Sequence, residues 1–145
     1  MQFLKMVRKL ATAFQTIEQI GSKHVRTLGV TPGQFDVIAT LGNQPPMNCK
    51  ELAEKTLMVK GNLTVILGGL LKKGLISRNV NQDDKRQVTI SLTKAGEDSF
   101  VKIFNEHLEY LEPLANSFSE QELTELIKCF DMLTQKFHAF DAKNI

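Results

Sequence analysis

At Gly74 the hydrophobic pattern of this chain changes period. Up to that glycine, Leu63, Ile66, Leu67, Leu70 and Leu71 recur at the three- and four-residue steps of one helix face. Just beyond it, Ile76-Ser77-Arg78-Asn79-Val80 and Gln87-Val88-Thr89-Ile90-Ser91-Leu92 alternate apolar with polar residues, as strands do. Asn81-Gln82-Asp83-Asp84-Lys85-Arg86 between them is turn-forming and charged. A helix over residues 59–73, capped by Gly74 and followed at once by a hairpin with a charged tip, predicts a mainly α fold with a small β wing.

The residues before that helix carry explicit start and stop signals. Thr31-Pro32-Gly33-Gln34 opens a helix: Thr31 can cap, Pro32 suits the first helical position, and Gln34 completes a capping box. Phe35, Ile38 and Leu41 supply its buried face, and it must end near Gly42, before Pro45-Pro46. Asn48 starts a further short helix, with Glu51 three residues later and Leu52 and Ala53 facing inward, and Thr56-Leu57-Met58 follows. Two short helices joined by about four residues, the second amphipathic, make a helix-turn-helix unit.

Long amphipathic segments flank this unit. Phe3, Val7, Leu10, Phe14 and Ile17 form one stripe over residues 3–20. Thr93 caps a helix carrying Phe100, Ile103, Phe104, Leu108 and Leu111, which the sequence predicts to be interrupted near Pro113. Ser119 and Glu122 form a second capping box before Leu123, Leu126, Ile127, Phe130, Leu133, Phe137 and Phe140 in heptad-like spacing. Residues 1–30 and 95–145 thus read as helical segments around a winged helix-turn-helix at 31–94. A chain of this size has too little material of its own to cover both terminal helices, which predicts self-association.

Charge divides along the same boundary. The formal net charge of +2 is a remainder: residues 1–94 hold 14 basic and 6 acidic side chains, net +8, and residues 95–145 hold 4 basic and 10 acidic, net −6. A basic lobe can sit on a polyanion while an acidic one stays clear of it. With 145 residues, 42% of them apolar, the chain fits one soluble domain or a core with appended helices. Two cysteines without CxxC spacing suggest a reduced, cytoplasmic protein, and no run approaches the ~18 apolar residues of a membrane span.

The order of elements suits double-stranded DNA. The major groove admits one α-helix, whose N-terminal residues meet base edges. Opposite the leucines of 59–73 lie Lys60, Gly61, Thr64, Val65 and Gly68, a narrow and mostly small face. Lys60 can reach phosphate or guanine, Asn62 can pair with adenine or hold a phosphate, Thr64 can hydrogen-bond, and Val65 can touch a thymine methyl. At the wing tip Lys85 and Arg86 suit the enhanced negative potential of a narrow minor groove.

The residues Lys50-Glu51-Leu52-Ala53-Glu54, Val59-Lys60-Gly61-Asn62-Leu63-Thr64, Leu70-Leu71-Lys72-Lys73-Gly74-Leu75-Ile76-Ser77-Arg78, Asp84-x-Arg86 and Leu92-Thr93 resemble the multiple antibiotic resistance regulator (MarR) family of bacterial transcription factors. The resemblance runs over essentially the whole chain. It implies an obligate homodimeric repressor on a pseudo-palindromic operator, with Lys60, Asn62 and Thr64 reading the major groove, Arg86 the minor groove, and Asp84 bracing the wing. It also implies dimerisation through the first and last two helices, where this chain offers Phe3, Val7, Leu10, Phe14, Leu126, Phe130, Leu133 and Phe137. A small, often aromatic or anionic effector would sit between these helices and the winged lobe, where His24, Phe35, Ile38 and Phe104 are the candidate lining residues. One departure stands out: Gly68-Gly69 occupies a position where the family commonly has an acidic-basic pair, and each helical glycine costs roughly 1 kcal/mol relative to alanine.

Other chemistry has little support. His24, His107 and His138 are far apart in sequence and form no metal motif, so neither metal nor cofactor is expected. Cys49, at a helix start, is a weak candidate for oxidant sensing, and Cys129 in the apolar stripe is expected to be buried. No nucleophile elbow or phosphate loop is present, which argues against an enzyme. The rival reading is a winged protein-interaction module that does not read DNA sequence.

Overall fold

The computed structural model describes residues 1–56 and 60–144, with the elements in the order α1 (Gln2–Thr27), α2 (Pro32–Leu41), α3 (Cys49–Thr56), α4 (Lys60–Lys72), β1 (Ile76–Val80), β2 (Val88–Leu92), α5 (Lys94–Ala115) and α6 (Glu120–Asn144). Expectations placed on Leu57, Met58 and Val59 lie outside the described residues, as do those on the side chains of Lys60 and Gly61.

The local punctuation sets these boundaries. Gln34 N donates to Thr31 Oγ1 at 3.1 Å and Thr31 N to Gln34 Oε1 at 3.2 Å, both halves of a capping box. Asn48 Oδ1 caps α3 by accepting from Glu51 N at 2.8 Å. Gly74, at φ +70°, ends α4: its N–H bonds Leu71 O at 3.0 Å and the next N–H, of Leu75, reaches back to Leu70 O at 3.1 Å. This is the Schellman pairing, whose left-handed residue glycine adopts without strain. Thr93 caps α5 through Gly96 N at 3.1 Å, and Ser119 and Glu122 exchange 3.0 Å bonds at the start of α6.

β1 and β2 pair antiparallel with Ile76 opposite Leu92 and Val80 opposite Val88. Ile76 and Ile90 point into a core with Val25 of α1, Val37, Ile38 and Leu41 of α2, Leu52 of α3, Leu63 and Leu70 of α4, and Ile103 of α5. Each such side chain contributes about 1.5–3 kcal/mol by leaving water. Met47, also in the core, forms a bridge with Ile90: Met47 N donates to Ile90 O at 3.0 Å and Ile90 N to Met47 O at 2.7 Å. The start of α3 is thereby stitched to the wing.

The chain divides into two compact units, Met1–Glu109 and Tyr110–Ile145, the boundary falling inside α5. The core just described belongs to the first. In the second, no described side chain of α6 is buried, and Phe130, Phe137 and Phe140 are exposed.

Four sequence expectations need correction. Leu71 lies on the exposed side of α4, because the stripe formed by Leu63, Leu67 and Leu70 already fills the contact with the core. Gln87 is not in β2; its N–H closes the tip turn onto Asp84 O at 2.9 Å. Pro113 does not interrupt α5, which continues to Ala115: the proline sits in the last turn, where little helix remains to break. Cys129 is exposed, in a helix none of whose described side chains is buried.

Candidate nucleic-acid interface

α4 shows a core side and an open side. Leu63, Leu67 and Leu70 are buried, while Asn62, Thr64 and Val65 are exposed, Val65 to 77%. Val65 therefore stands on the solvent side of α4, with Asn62 and Thr64 and away from the buried leucines. Gly68, one turn beyond Val65, has no neighbouring atom where a Cβ would stand. Gly69 differs: a Cβ there would lie 2.8 Å from Gln34 Nε2. Gln34 is buried and held in place, its Oε1 accepting from Thr31 N and from Lys73 Nζ at 2.9 Å, while Lys73 Nζ also reaches Gly29 O at 3.1 Å. The absent side chain at Gly69 is what lets α2 and α4 approach, so this glycine is structural.

The wing tip is built by side chains folding onto their own backbone. Asn81 Oδ1 accepts from Asp83 N at 2.9 Å, and Asn81 Nδ2 donates to Gln87 Oε1 at 3.0 Å. Asp84 Oδ1 accepts from Arg86 N at 3.1 Å and lies 3.9 Å from Arg86 Nε. That pair fixes the backbone from which the Arg86 side chain, 96% exposed, projects. An ion pair so exposed adds little stability, so its consequence is orientation. Lys85 is exposed beside it.

The four residues suggested as effector-lining do not share one environment. His24 of α1 and His107 of α5 approach to 3.0 Å between their Nδ1 atoms, and Phe35 of α2 meets the His107 ring edge-on at 4.9 Å. The two imidazoles are inclined by only 23° with centroids 5.2 Å apart, close to the Nδ1 separation plus the two ring radii. They therefore meet edge to edge, as a hydrogen bond requires, rather than face to face. Burial, and then the neighbouring His24, lower the pKa of His107. Phe104 instead stacks with Phe100 at 5.1 Å, and Ile38 is sealed in the core with no exposed surface. The sequence carries no signal of the histidines' meeting, because His24 and His107 stand 83 positions apart. Among the described residues, no three His, Cys, Asp or Glu side chains gather as a metal site would need.

The fold recurs in known proteins. Residues 30–88 match the MarR family. The HTH-type transcriptional regulator MhqR of Bacillus subtilis strain 168 is 25% identical over 138 residues, covering 93% of this chain and 95% of MhqR. A crystal structure of a MarR family transcription regulator, 25% identical, superposes with a TM-score of 0.81 over 96% of this chain and 92% of its own. A mutant MarR from E. coli, solved in complex with operator DNA, is 21% identical and shares the fold with a TM-score of 0.79, covering 91% of this chain and 95% of that one.

Proposed function

We propose, from the match of residues 30–88 to the MarR family, that the chain is a homodimeric transcriptional regulator of the cytoplasm, repressing from a pseudo-palindromic operator and released by a small effector. The observation that carries this reading is the open face of α4, with Asn62, Thr64 and Val65 turned away from the leucines that anchor the helix. Its first turns enter the major groove. Lys60, Asn62 and Thr64 meet phosphate and base edges, Gly61 keeps the helix start small, and Val65 meets a thymine methyl. Lys85 and Arg86 extend the contact to the minor groove, with Asp84 as brace. The operator complex of the E. coli relative supports the assignment of DNA as partner.

Self-association is supported by each terminal helix in its own right. α1 leaves Phe3, Val7 and Phe14 exposed, with Leu10 half-buried, and α6 leaves Leu126, Phe130 and Phe137 exposed, with Leu133 half-buried. A monomer in water rarely keeps so much apolar surface open. Residues 1–30 and 95–145 are accordingly the dimerisation segments around the DNA-binding segment 31–94. The effector reading rests on the His24–His107–Phe35 cluster, where α1, α5 and α2 meet. A ligand there acts only if it binds one arrangement of the lobes better than another.

Fluorescence anisotropy on a labelled duplex tests the proposal. If a dimer neutralises ~6–10 phosphates, affinity falls by about 10³ to 10⁵ between 50 and 200 mM salt. Val65→Ala lowers the preference for thymine at one position per half-site and leaves the fold intact, since alanine is the better helix former. A flat salt response, with no sequence preferred over another, contradicts the reading and favours the protein-interaction alternative.

A further inference from the structure

Lys73, the residue that follows α4, joins three segments of the chain at one point. Its Nζ donates to Gly29 O at 3.1 Å and to Gln34 Oε1 at 2.9 Å. Gly29 stands just beyond α1 at φ +84°, and its own N–H closes the end of that helix onto Arg26 O at 3.3 Å. An ammonium beside this carbonyl also meets the negative end of the α1 dipole. Gln34 belongs to the first turn of α2, is buried, and uses the same oxygen to accept from Thr31 N. Its Nε2 faces Gly69, which lies one turn before Lys73 and accepts the Lys73 backbone N–H at 3.2 Å. The end of α4 is therefore held at two successive turns, by close contact at Gly69 and by charge-assisted hydrogen bonds at Lys73.

Lys73 is itself exposed, and polar contacts made at the surface set geometry more than stability. The geometry they set belongs to α4. Asn62, Thr64 and Val65, on the open face, lie two to three turns before Lys73, or about 12–17 Å along the helix axis. A rigid helix pinned at one end carries the position of the pin to the other. Building on the DNA-binding reading above, we infer that Lys73 is a positioning residue for operator recognition: it ties the end of α1, the proposed dimerisation helix, to the far end of the helix that reads DNA, and so sets the spacing at which the two subunits' α4 helices meet their half-sites. In this role it acts through Gly29 and Gln34 and makes no DNA contact of its own. The second point of attachment is what stops α4 from pivoting about the Gly69 contact.

The test uses the full-length protein and three duplexes: the inverted repeat it selects from a random pool, that repeat with one base pair added between the half-sites, and a random sequence. Anisotropy titrations of the unaltered protein, Lys73→Met and Lys73→Arg are run on each, and thermal melting checks that these exposed substitutions leave the fold intact. In Lys73→Met the affinity ratio of correct to lengthened spacing falls about threefold or more, while the salt slope stays as it was. Lys73→Arg, which keeps a charged donor, restores most of that ratio. An unchanged spacing ratio in Lys73→Met overturns this inference alone. An equal loss on all three duplexes, with a salt slope shallower by about 1 per subunit, also overturns it, since that pattern belongs to a phosphate contact. Identical behaviour of Lys73→Met and Lys73→Arg overturns it too, because the role requires the donor. Failure of the unaltered protein to bind any duplex overturns the DNA-binding reading with it.

Discussion

The Nε2 of Gln34 lies 2.8 Å from the point where a Cβ on Gly69 would stand, while the same point on Gly68 faces open space. Two adjacent glycines in one helix thus have different reasons to exist. Gly68→Ala gains the helix propensity of alanine, up to about 1 kcal/mol. Gly69→Ala gains the same propensity but pushes on a buried side-chain amide whose oxygen two donors, Thr31 N and Lys73 Nζ, hold in place. Thermal melts at fixed protein concentration should rank Gly68→Ala above Gly69→Ala by about 1 kcal/mol or more. Equal gains from both substitutions would show that Gln34 yields freely.

Asp36, half-buried on α2, has its pKa raised from 3.8 to about 6 by burial. A raised acid pKa means that the folded state holds the proton more tightly than the unfolded chain, so this contribution is present at low pH and lost as pH rises through about 6. Asp36→Asn is therefore expected to stabilise the protein at pH 7 by about 1 kcal/mol, solvent screening of a half-exposed group having reduced the full value. At pH 5, between those two values, roughly half of the gain should remain, and below 3.8 it should vanish. Urea melts at the two pH values check this, and a gain that is larger at pH 5 contradicts it.

The Nδ1–Nδ1 bond of His24 and His107 requires one donor and one acceptor, so it exists only while at least one of these nitrogens lacks its proton. Burial lowers the pKa of His107, and the folded state binds fewer protons than the unfolded chain near and below the ordinary histidine range of about 6.5. Stability from this site is present above that range and lost as pH falls below it. His107→Gln should flatten this acid-side loss relative to the unaltered protein. An unchanged slope between pH 7 and 5 would mean that the pair does not titrate with folding.

Asp84 and Arg86 are expected to act as a unit in DNA binding. Arg86→Ala removes the wing contact and should weaken operator affinity about 10-fold, or ~1.4 kcal/mol. Asp84→Ala leaves the guanidinium but releases the backbone bond that aims it, so it should weaken binding by a smaller factor. The double substitution should cost less than the sum of the two. Strict additivity in anisotropy titrations would indicate that Asp84 does not brace Arg86.

The parts of this fold legible in the sequence are those decided within a few residues. Thr31 with Gln34, Asn48 with Glu51, and Gly74 each declare a helix end through a bond to a near neighbour, and the alternation of Ile76–Val80 declares a strand without distant information. Leu71 falls outside the core because helical period gives the direction of an apolar stripe but not the width at which packing stops. The exposure of Cys129 is not legible in its spacing, because burial on α6 depends on what covers that helix. Gln34 filling the space at Gly69, His24 meeting His107, and Met47 bridging to Ile90 are tertiary facts, created when α2, α4, α5 and the wing share one core. The open face of α4 is legible in the sequence because its leucines fix the opposite side.

The most direct test of the account is selection of bound sequences from a random duplex pool by the full-length protein. The account predicts recovery of an inverted repeat whose half-sites are centred about one helical turn apart, ~34–36 Å or roughly 10 base pairs, as two copies of α4 in successive major grooves require. Recovery of no enriched sequence, or of a single site without its inverted copy, would contradict it.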